Sequence, residues 1–211
     1  VANALSPAKV IDVTIFEAAP GAGGMLRLAL PEYRAPKSVV DRDLQNVTAV
    51  GVKIECNHKI ENLSALKTDG FDLVFVGVGT HVSSKSNIEG MNLQGIVGCM
   101  EFLRESNIGK KEDLTGKKVM VIGGGNTAID AARTALRCGA EKVTVIYRRS
   151  RAEMPCFEPE IREAEEEGVE ISVLKNPVKY IGKDRKITSV QLTKMQLGAV
   201  GADGRRSSEP V

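Results

Sequence analysis

The 211-residue chain sets 29 Lys and Arg against 27 Asp and Glu, for a formal charge of +2. With 27% charged residues, 42% hydrophobic residues and 21 glycines it has the profile of a folded α/β protein, large enough for one sizeable core or two small ones. So small a net charge gives no basic field for nucleic acid, 4% aromatic residues without Trp leave no stacking surface for single strands, and no apolar run reaches the roughly 18 residues of a membrane span.

Residues 1–6, Val-Ala-Asn-Ala-Leu-Ser, read as the tail of a helix already under way, and no signal-peptide pattern is present. Val10 to Phe16 alternates β-branched and apolar residues and predicts a strand, closed by Glu17 ahead of Pro20 and a run of glycines. An acidic residue there is what a dinucleotide-binding unit uses on an adenosine ribose. Such a unit needs its own glycine turn about 20 residues earlier. The first glycine of the chain is Gly21, so the unit's first strand and phosphate loop are expected to be missing. Glu17 is equally readable as a strand-end surface charge.

Lys37 to Val50 predicts a helix behind Pro36, and Val52 to Cys56 a strand after the turn at Gly51. Phe71 to Gly79 is the most strand-like stretch of the first half, where Gly77 and Gly79 permit close approach of a ligand or another backbone. Glu101 to Glu105 falls in a helix. The polar stretch Asn107 to Lys117, ending in Thr115-Gly116, is a natural connection, and the boundary between two domains, 1–112 and 113–211, is expected there. Cys56, Cys99, Cys138 and Cys156 form no C-x-x-C pair and have only His58 and His81 to assist. That argues against a metal or iron–sulfur site within the chain and for reduced thiols in a cytoplasmic protein.

The second half opens on the most informative run. Val119 to Ile122 is a short apolar strand, and Gly123-x-Gly125-x-x-Ala128 then fits the glycine fingerprint of a dinucleotide-binding unit. Gly123 allows a sharp turn, Gly125 lets backbone approach a pyrophosphate, and Ala128 lets the next helix pack close. Asn126 to Cys138 predicts that helix, with Ala128, Ala132, Ala135 and Leu136 able to share a face and Gly139 as its stop. The strand Lys142 to Tyr147 ends roughly 20 residues beyond the glycines, where an NAD site places an acidic residue. Here stand Arg148 and Arg149. A carboxylate would repel a 2'-phosphate, whereas guanidinium groups grip one through charge-assisted hydrogen bonds. The pattern therefore points to NADPH. Arg151 is a third candidate, or a residue facing water. Glu158 to Glu167 predicts a helix whose cluster Glu163, Glu165, Glu166 and Glu167 reads as a solvated face. Val169 to Leu174, Val178 to Ile181 and Ile187 to Leu197 predict strands, with a turn at Gly182 to Arg185, and Gly198 to Val211 reads as a loop or frayed end.

Longer motifs add a family. Gly23-Gly24-Met25-Leu26-Arg27 with Leu30-Pro31-Glu32-Tyr33-Arg34-Ala35-Pro36 resembles the small subunit of NADPH-dependent glutamate synthase, whose family includes the flavin half of dihydropyrimidine dehydrogenase and the large subunit of the ferredoxin:NADP oxidoreductase. Val13 to Glu17, Gly51 to Lys53, Glu101 to Glu105, Ile122 to Ala128 and Tyr147 to Pro155 are similar to that family too, so the resemblance runs from about Val10 to Arg206. It implies an α/β fold of two Rossmann-like, three-layer nucleotide-binding domains of the disulfide-reductase-like type. The first is incomplete, an FAD domain interrupted by an inserted NADPH domain. It implies that Glu17 holds the FAD ribose, that Gly24 and Met25 line the flavin nucleotide, and that Arg34 contacts FAD. By the same resemblance Ile60 would lie near the adenine by main-chain contact, and Gly79 with Thr80 would approach the cofactor where their strand ends. Gly124, Gly125, Asn126 and Thr127 would cradle the NADPH pyrophosphate, with Arg148 and Arg149 on the 2'-phosphate. Met25 is equally readable as core filler, and Arg34 as a surface charge.

The family's opening glycine turn, its returning C-terminal segment and its cysteine-rich iron–sulfur region have no counterpart in the sequence, so a fragment is expected. The implied activity passes hydride from NADPH to FAD and electrons onward to iron–sulfur clusters, with the glutamate synthase large subunit or another iron–sulfur protein as acceptor. No Ser/His/Asp, Cys/His or paired-carboxylate constellation is evident, and no catalytic residue is named. The alternatives are an NADPH-binding or docking module without turnover, or the electron-input half of a ferredoxin:NADP oxidoreductase.

Overall fold

The computed structural model describes residues 11–83, 86–202 and 204–211; the reading of residues 1–6 and the start of the first strand at Val10 lie outside them. The chain divides into two compact units, Val1–His81 and Val82–Val211.

In the first unit, β1 (Thr14–Phe16), α1 (Gly24–Leu28), α2 (Lys37–Ala49), β2 (Lys53–Glu55) and α3 (Leu63–Thr68) follow one another. β1 pairs parallel with β2, Thr14 opposite Lys53 and Phe16 opposite Glu55. Parallel neighbours need a crossover, which α2 supplies. α2 starts directly behind Pro36, whose fixed φ of −57° suits the entry. α3 is capped by Asn62, whose side chain accepts from the Ser64 amide at 2.9 Å. Ala29, Val40, Val52 and Leu66 form its small core.

Two expectations fail in this unit. The predicted first strand shrinks to Thr14–Phe16, the length its only partner offers. Phe71 to Gly79 forms no strand at all. Phe71 packs edge-on against the Phe16 ring at 5.7 Å, but Leu73 is 80% exposed and Phe75 70%, so most of the segment's β-favouring side chains lie in the open. A strand exists only where a second backbone takes up its ladder, and among the described residues none lies beside this segment.

The second unit runs α4 (Cys99–Asn107), β3 (Lys118–Ile122), α5 (Asn126–Arg137), β4 (Lys142–Tyr147), a 3-10 turn (Arg151–Glu153), α6 (Glu158–Glu166), β5 (Glu170–Val173), β6 (Lys175–Lys183), β7 (Lys186–Val200) and β8 (Arg206–Pro210). β3, β4 and β5 form a parallel sheet in that order, and β6, β7 and β8 an antiparallel one. One face of the parallel sheet is sealed by helices. Ile129, Ala132 and Ala135 of α5 and Ile161 and Ala164 of α6 are buried, as are Val143 and Val145 of β4. The opposite face looks across a cleft of about 620 Å³, with Met120 and Thr144 on the sheet side and Leu192 of β7 on the other. Helices, parallel sheet and antiparallel sheet make three layers.

The compact units part at His81/Val82, ahead of the connection that the polar stretch around residue 112 predicts. The intervening segment packs within the second unit: the Tyr180 amide donates to the Glu89 carbonyl at 2.8 Å and the Ile187 amide to that of Gln94 at 3.0 Å, while α4 lies against α5. The tail is also ordered differently from its composition. Gly198 to Val211 contributes the end of β7 and all of β8. Arg206 fastens the two together, its Nε donating to the Gly198 carbonyl at 3.0 Å and its Nη2 to that of Leu197 at 3.2 Å.

α5 and α6 are joined by charge as well as by apolar packing. Arg133, with a side chain only 6% exposed, meets Glu160 at 3.1 Å, Glu163 at 3.0 Å and Glu167 at 2.7 Å, and Arg137 adds a second contact to Glu167 at 2.7 Å. The acidic run is therefore a clamp rather than a merely solvated face. A guanidinium this buried is tolerable only because its donors are satisfied. The Arg137 and Arg133 hydrogen bonds lower the Glu167 carboxyl to about 2. Because its folded value lies below its unfolded one, its contribution is complete above about pH 4.5 and disappears as pH falls toward 2. Glu167→Gln should flatten that limb in acid-unfolding curves and cost about 1–3 kcal/mol at pH 7 in urea unfolding.

The β6–β7 connection is a two-residue turn with Asp184 at φ +51° and Arg185 at φ +63°. Both lie in the left-handed region that type I′ hairpins demand and that Asn-Gly adopts at less cost. Asp184→Asn with Arg185→Gly should raise stability by about 0.5–1 kcal/mol, read as a higher urea midpoint at unchanged slope.

Candidate functional site

β3 and β4 run parallel in full register, from Lys118 opposite Lys142 to Ile122 opposite Ile146. Their carboxyl ends therefore emerge side by side, the place where open α/β sheets bind ligands. The first residue beyond β3 is Gly123, whose amide still donates to the Ile146 carbonyl at 3.0 Å while its φ of +138° turns the chain away. Few side chains tolerate that φ. Gly124 is constrained differently, because a Cβ there would lie 2.6 Å from the Tyr147 ring. Gly125 is the N-cap of α5, contributes no capping side chain, and has no atom closer than 3.9 Å to its Cβ position. Its nearest neighbour there is Pro155. The Ala128 amide already donates to the Gly125 carbonyl at 2.9 Å, while those of Asn126 and Thr127, ahead of it, have no carbonyl one turn back and carry the positive end of the helix dipole. An anion with two phosphates suits that end.

Arg148 and Arg149 follow β4 directly, and Arg148 shares a small cavity with Gly123 of this turn. Arg148 is exposed. Arg149 is half-buried, and its Nε is buried with no hydrogen-bond partner among the described residues. Arg151, the third cation of the sequence motif, is committed elsewhere: it meets Glu165 at 2.6 Å and Glu158 at 3.0 Å, and those hydrogen bonds raise its pKa further. Arg148 and Arg149 make no such ion pair among the described residues.

A loop unseen in the sequence reading supports the turn. Ser150 and Glu153 form a capping box, and the Tyr147 hydroxyl donates to the Glu153 carbonyl at 2.7 Å. From there the chain folds back over the glycines. The Cys156 amide donates to the Gly124 carbonyl at 3.2 Å, and the Phe157 amide to Asn126 Oδ1 at 3.2 Å. The spacing Ser150-x-x-Glu153 is the available sequence signal for this loop. Asn126, expected to cradle a pyrophosphate, also anchors the loop, while Thr127 at the next position is exposed.

The candidates of the first unit are arranged more loosely. Glu17 lies just past β1, where its amide donates to the Glu55 carbonyl at 2.9 Å and its carboxylate accepts from the Ala19 amide at 2.8 Å. The His58 amide donates to the Glu17 carbonyl at 2.9 Å, so the chain leading to half-buried Ile60 leaves β2 beside Glu17 at the carboxyl ends of the strand pair. Gly24, at φ +51° with nothing within 4 Å of its Cβ position, and half-buried Met25 open α1. Arg34 is half-buried in the turn after it, its amide bonded to the Pro31 carbonyl at 3.0 Å. Gly79 and Thr80 do not stand at a strand end as expected; both are exposed, for want of the strand at 71–79.

Among the described residues no group of three or more His, Cys, Asp or Glu is placed to hold a metal, the four cysteines are unbridged, and no helix is long and apolar enough to cross a membrane. Gly124→Ala should drive a methyl into the Tyr147 ring. We expect a loss of about 1–3 kcal/mol in urea unfolding and weakened nucleotide binding, whereas Gly125→Ala, with room for its Cβ, should keep the stability.

Known proteins with similar sequences are considerably longer. The chain is 42% identical over 204 residues to the NADP(+)-dependent formate dehydrogenase subunit beta of Moorella thermoacetica, covering 94% of this chain but 29% of that one. It is 42% identical over 208 residues to the NADPH-Fe(3+) oxidoreductase subunit beta of Geobacter sulfurreducens, covering 94% and 30%. To the glutamate synthase [NADPH] small chain of Escherichia coli it is 32% identical over 215 residues, covering 95% and 45%. In fold it resembles FprA of Mycobacterium tuberculosis, solved in complex with NADPH, with a TM-score of 0.83 at 18% identity over 99% of this chain and 64% of that one. The thioredoxin reductase of T. acidophilum matches with a TM-score of 0.61 at 16% identity, over 99% and 69%. The sequence model for pyridine nucleotide-disulphide oxidoreductases matches residues 3–205, and with the glycine turn and parallel sheet in place the chain belongs to that family.

Proposed function

We propose that this chain is the nucleotide-handling portion of an FAD-dependent NADPH oxidoreductase. The observation that carries the reading is the start of α5: a helix end without a side-chain cap behind Gly123, Gly124 and Gly125, with Arg148 beside Gly123, Arg149 next in the chain, and the Nε of Arg149 without an acceptor among the described residues. Such a site suits a pyrophosphate at the helix end and a 2'-phosphate at the arginines. Residues 113–211 form the NADPH-binding part in this reading, and residues 1–112 belong to an FAD-binding part through Glu17, Gly24, Met25, Arg34, Ile60, Gly79 and Thr80. The open surface over Gly24 and the position of Glu17 at the strand ends fit a flavin nucleotide.

Together such cofactors supply hydride transfer from NADPH to FAD and the release of electrons to an iron–sulfur acceptor. The residues of this chain orient and hold; no acid or base of its own is needed. The partner we propose is the glutamate synthase large subunit or another iron–sulfur acceptor; the similarity to a glutamate synthase [NADPH] small chain supports the first, and the formate dehydrogenase and NADPH-Fe(3+) oxidoreductase relatives at 42% identity support the wider class. We place such a protein in the cytoplasm.

Isothermal titration tests the reading. NADPH should bind at least tenfold more tightly than NADH, and Arg148→Ala with Arg149→Ala should weaken NADPH about 100-fold while sparing NADH, as expected for the loss of charge-assisted contacts worth about 1.5–3 kcal/mol each. Equal affinities for the two nucleotides in the unmodified chain would sink it. The exposed segment 71–79 favours a second reading, an NADPH-binding module without turnover. Flavin absorbance near unit stoichiometry in the purified chain speaks for the oxidoreductase, and a colourless protein that binds NADPH speaks for the module.

A further inference from the structure

A second, smaller cavity of about 120 Å³ opens at the carboxyl end of the parallel sheet. Gly123, Tyr147 and Arg148 wall one side, and Lys175, Asn176 and Pro177 the other. What brings Lys175 there is a one-residue corner. Leu174 alone separates β5 from β6, at φ +54°, a conformation unfavourable for leucine and kept only where the surroundings overdetermine it. Here two hydrogen bonds do so: the Leu174 amide donates to the Arg149 carbonyl at 3.1 Å, and its carbonyl accepts from the Met195 amide at 2.9 Å. The start of β6 is thereby fastened to the arginine turn.

The charges at this corner are unbalanced. Lys175 stands opposite Lys194 across the antiparallel ladder, a like-charged pair that disfavours the register. Nearby cations have acidic partners: Lys142 pairs with Glu170, Lys179 with Glu89, and Arg151 with Glu158 and Glu165. Among the described residues, Lys175, Arg148 and Arg149 have no ion-pair partner; Lys175 and Arg148 line the cavity beside the glycine turn, and Arg149 is the next residue along the chain. The hydrogen-bonded corner at Leu174 holds these cations in place, and an anion bound among them explains both the repulsive pair and the unmatched charges.

We propose that Lys175 is a specificity-determining residue, a third cationic contact with Arg148 and Arg149 for the phosphomonoester dianion on the ribose 2' position. The proposal rests on the NADPH reading above. A strongly hydrated ammonium on a flexible stem adds charge without fixing geometry, so it complements the planar arginines rather than replacing them.

The test is titration of the chain and its Lys175→Ala and Lys175→Arg variants with NADPH, NADH, 2',5'-ADP and inorganic phosphate. Lys175→Ala should weaken NADPH and 2',5'-ADP about tenfold, the value of one charge-assisted contact, leave NADH within twofold, and reduce the salt dependence of NADPH binding. Lys175→Arg should restore most of the affinity. The proposal falls if Lys175→Ala leaves NADPH within twofold, if NADH weakens in parallel, or if inorganic phosphate competes as well as 2',5'-ADP. Loss of discrimination on Arg148→Ala with Arg149→Ala but not on Lys175→Ala would overturn the role of Lys175 and leave the NADPH reading standing. An unmodified chain that fails to prefer NADPH would overturn both.

Discussion

The Tyr147 ring occupies the volume that any side chain at position 124 would need, and this one contact organises the carboxyl end of the parallel sheet. Tyr147 can reach it because β3 and β4 are in full parallel register, which sets the end of one strand beside the turn that follows the other. Its hydroxyl then points on to the Glu153 carbonyl and ties down the loop that returns over Gly124 and Asn126. A buried phenol needs such an acceptor, so the polar handle and the apolar ring together define where the loop can lie. The shape of the glycine turn, the direction of α5 and the placing of the arginines follow from that packing.

A second constraint acts between α5 and α6. Charged groups are costly to bury unless their hydrogen-bonding capacity is filled. Arg133 satisfies that condition by drawing in carboxylates from three successive turns of the α6 region, Glu160, Glu163 and Glu167. Apolar contacts through Ile129 and Ile161 hold the helices against the sheet. The guanidinium selects one rotation and one height of α6, since shifting either would leave donors unfilled. Because α6 follows the loop that covers the glycine turn, this register also fixes where that loop ends.

Much of the second unit was legible from local pattern. β4 appears as predicted, and β3 and α5 agree with expectation to within a residue at their ends, because a parallel strand in a layered sheet reads as a continuous apolar run and a glycine fingerprint marks the turn between. The acidic run of α6 misled because charge in a sequence carries no address: Glu163 and Glu167 look solvated until Arg133, some 30 residues earlier, is seen to face them. Gly198 to Val211 misled for a related reason. Its Gly and Ser content suggests a loose end, while its strand character comes from backbone pairing with β7, to which composition is blind.

By itself the sequence determined the parallel αβ order of the second unit, the glycine turn, the helix behind it and the arginines at the next strand end, since each depends on residues within about one turn or one strand of one another. Tertiary structure alone decided which cations remain available. Arg151 is drawn away by Glu158 and Glu165, whereas the left-handed corner at Leu174 brings Lys175 beside Arg148 from a strand that sequence spacing does not connect with the site. It decided equally that Phe71 to Gly79, with every local mark of a strand, is none, because ladder hydrogen bonds belong to pairs of backbones and cannot be encoded in one segment.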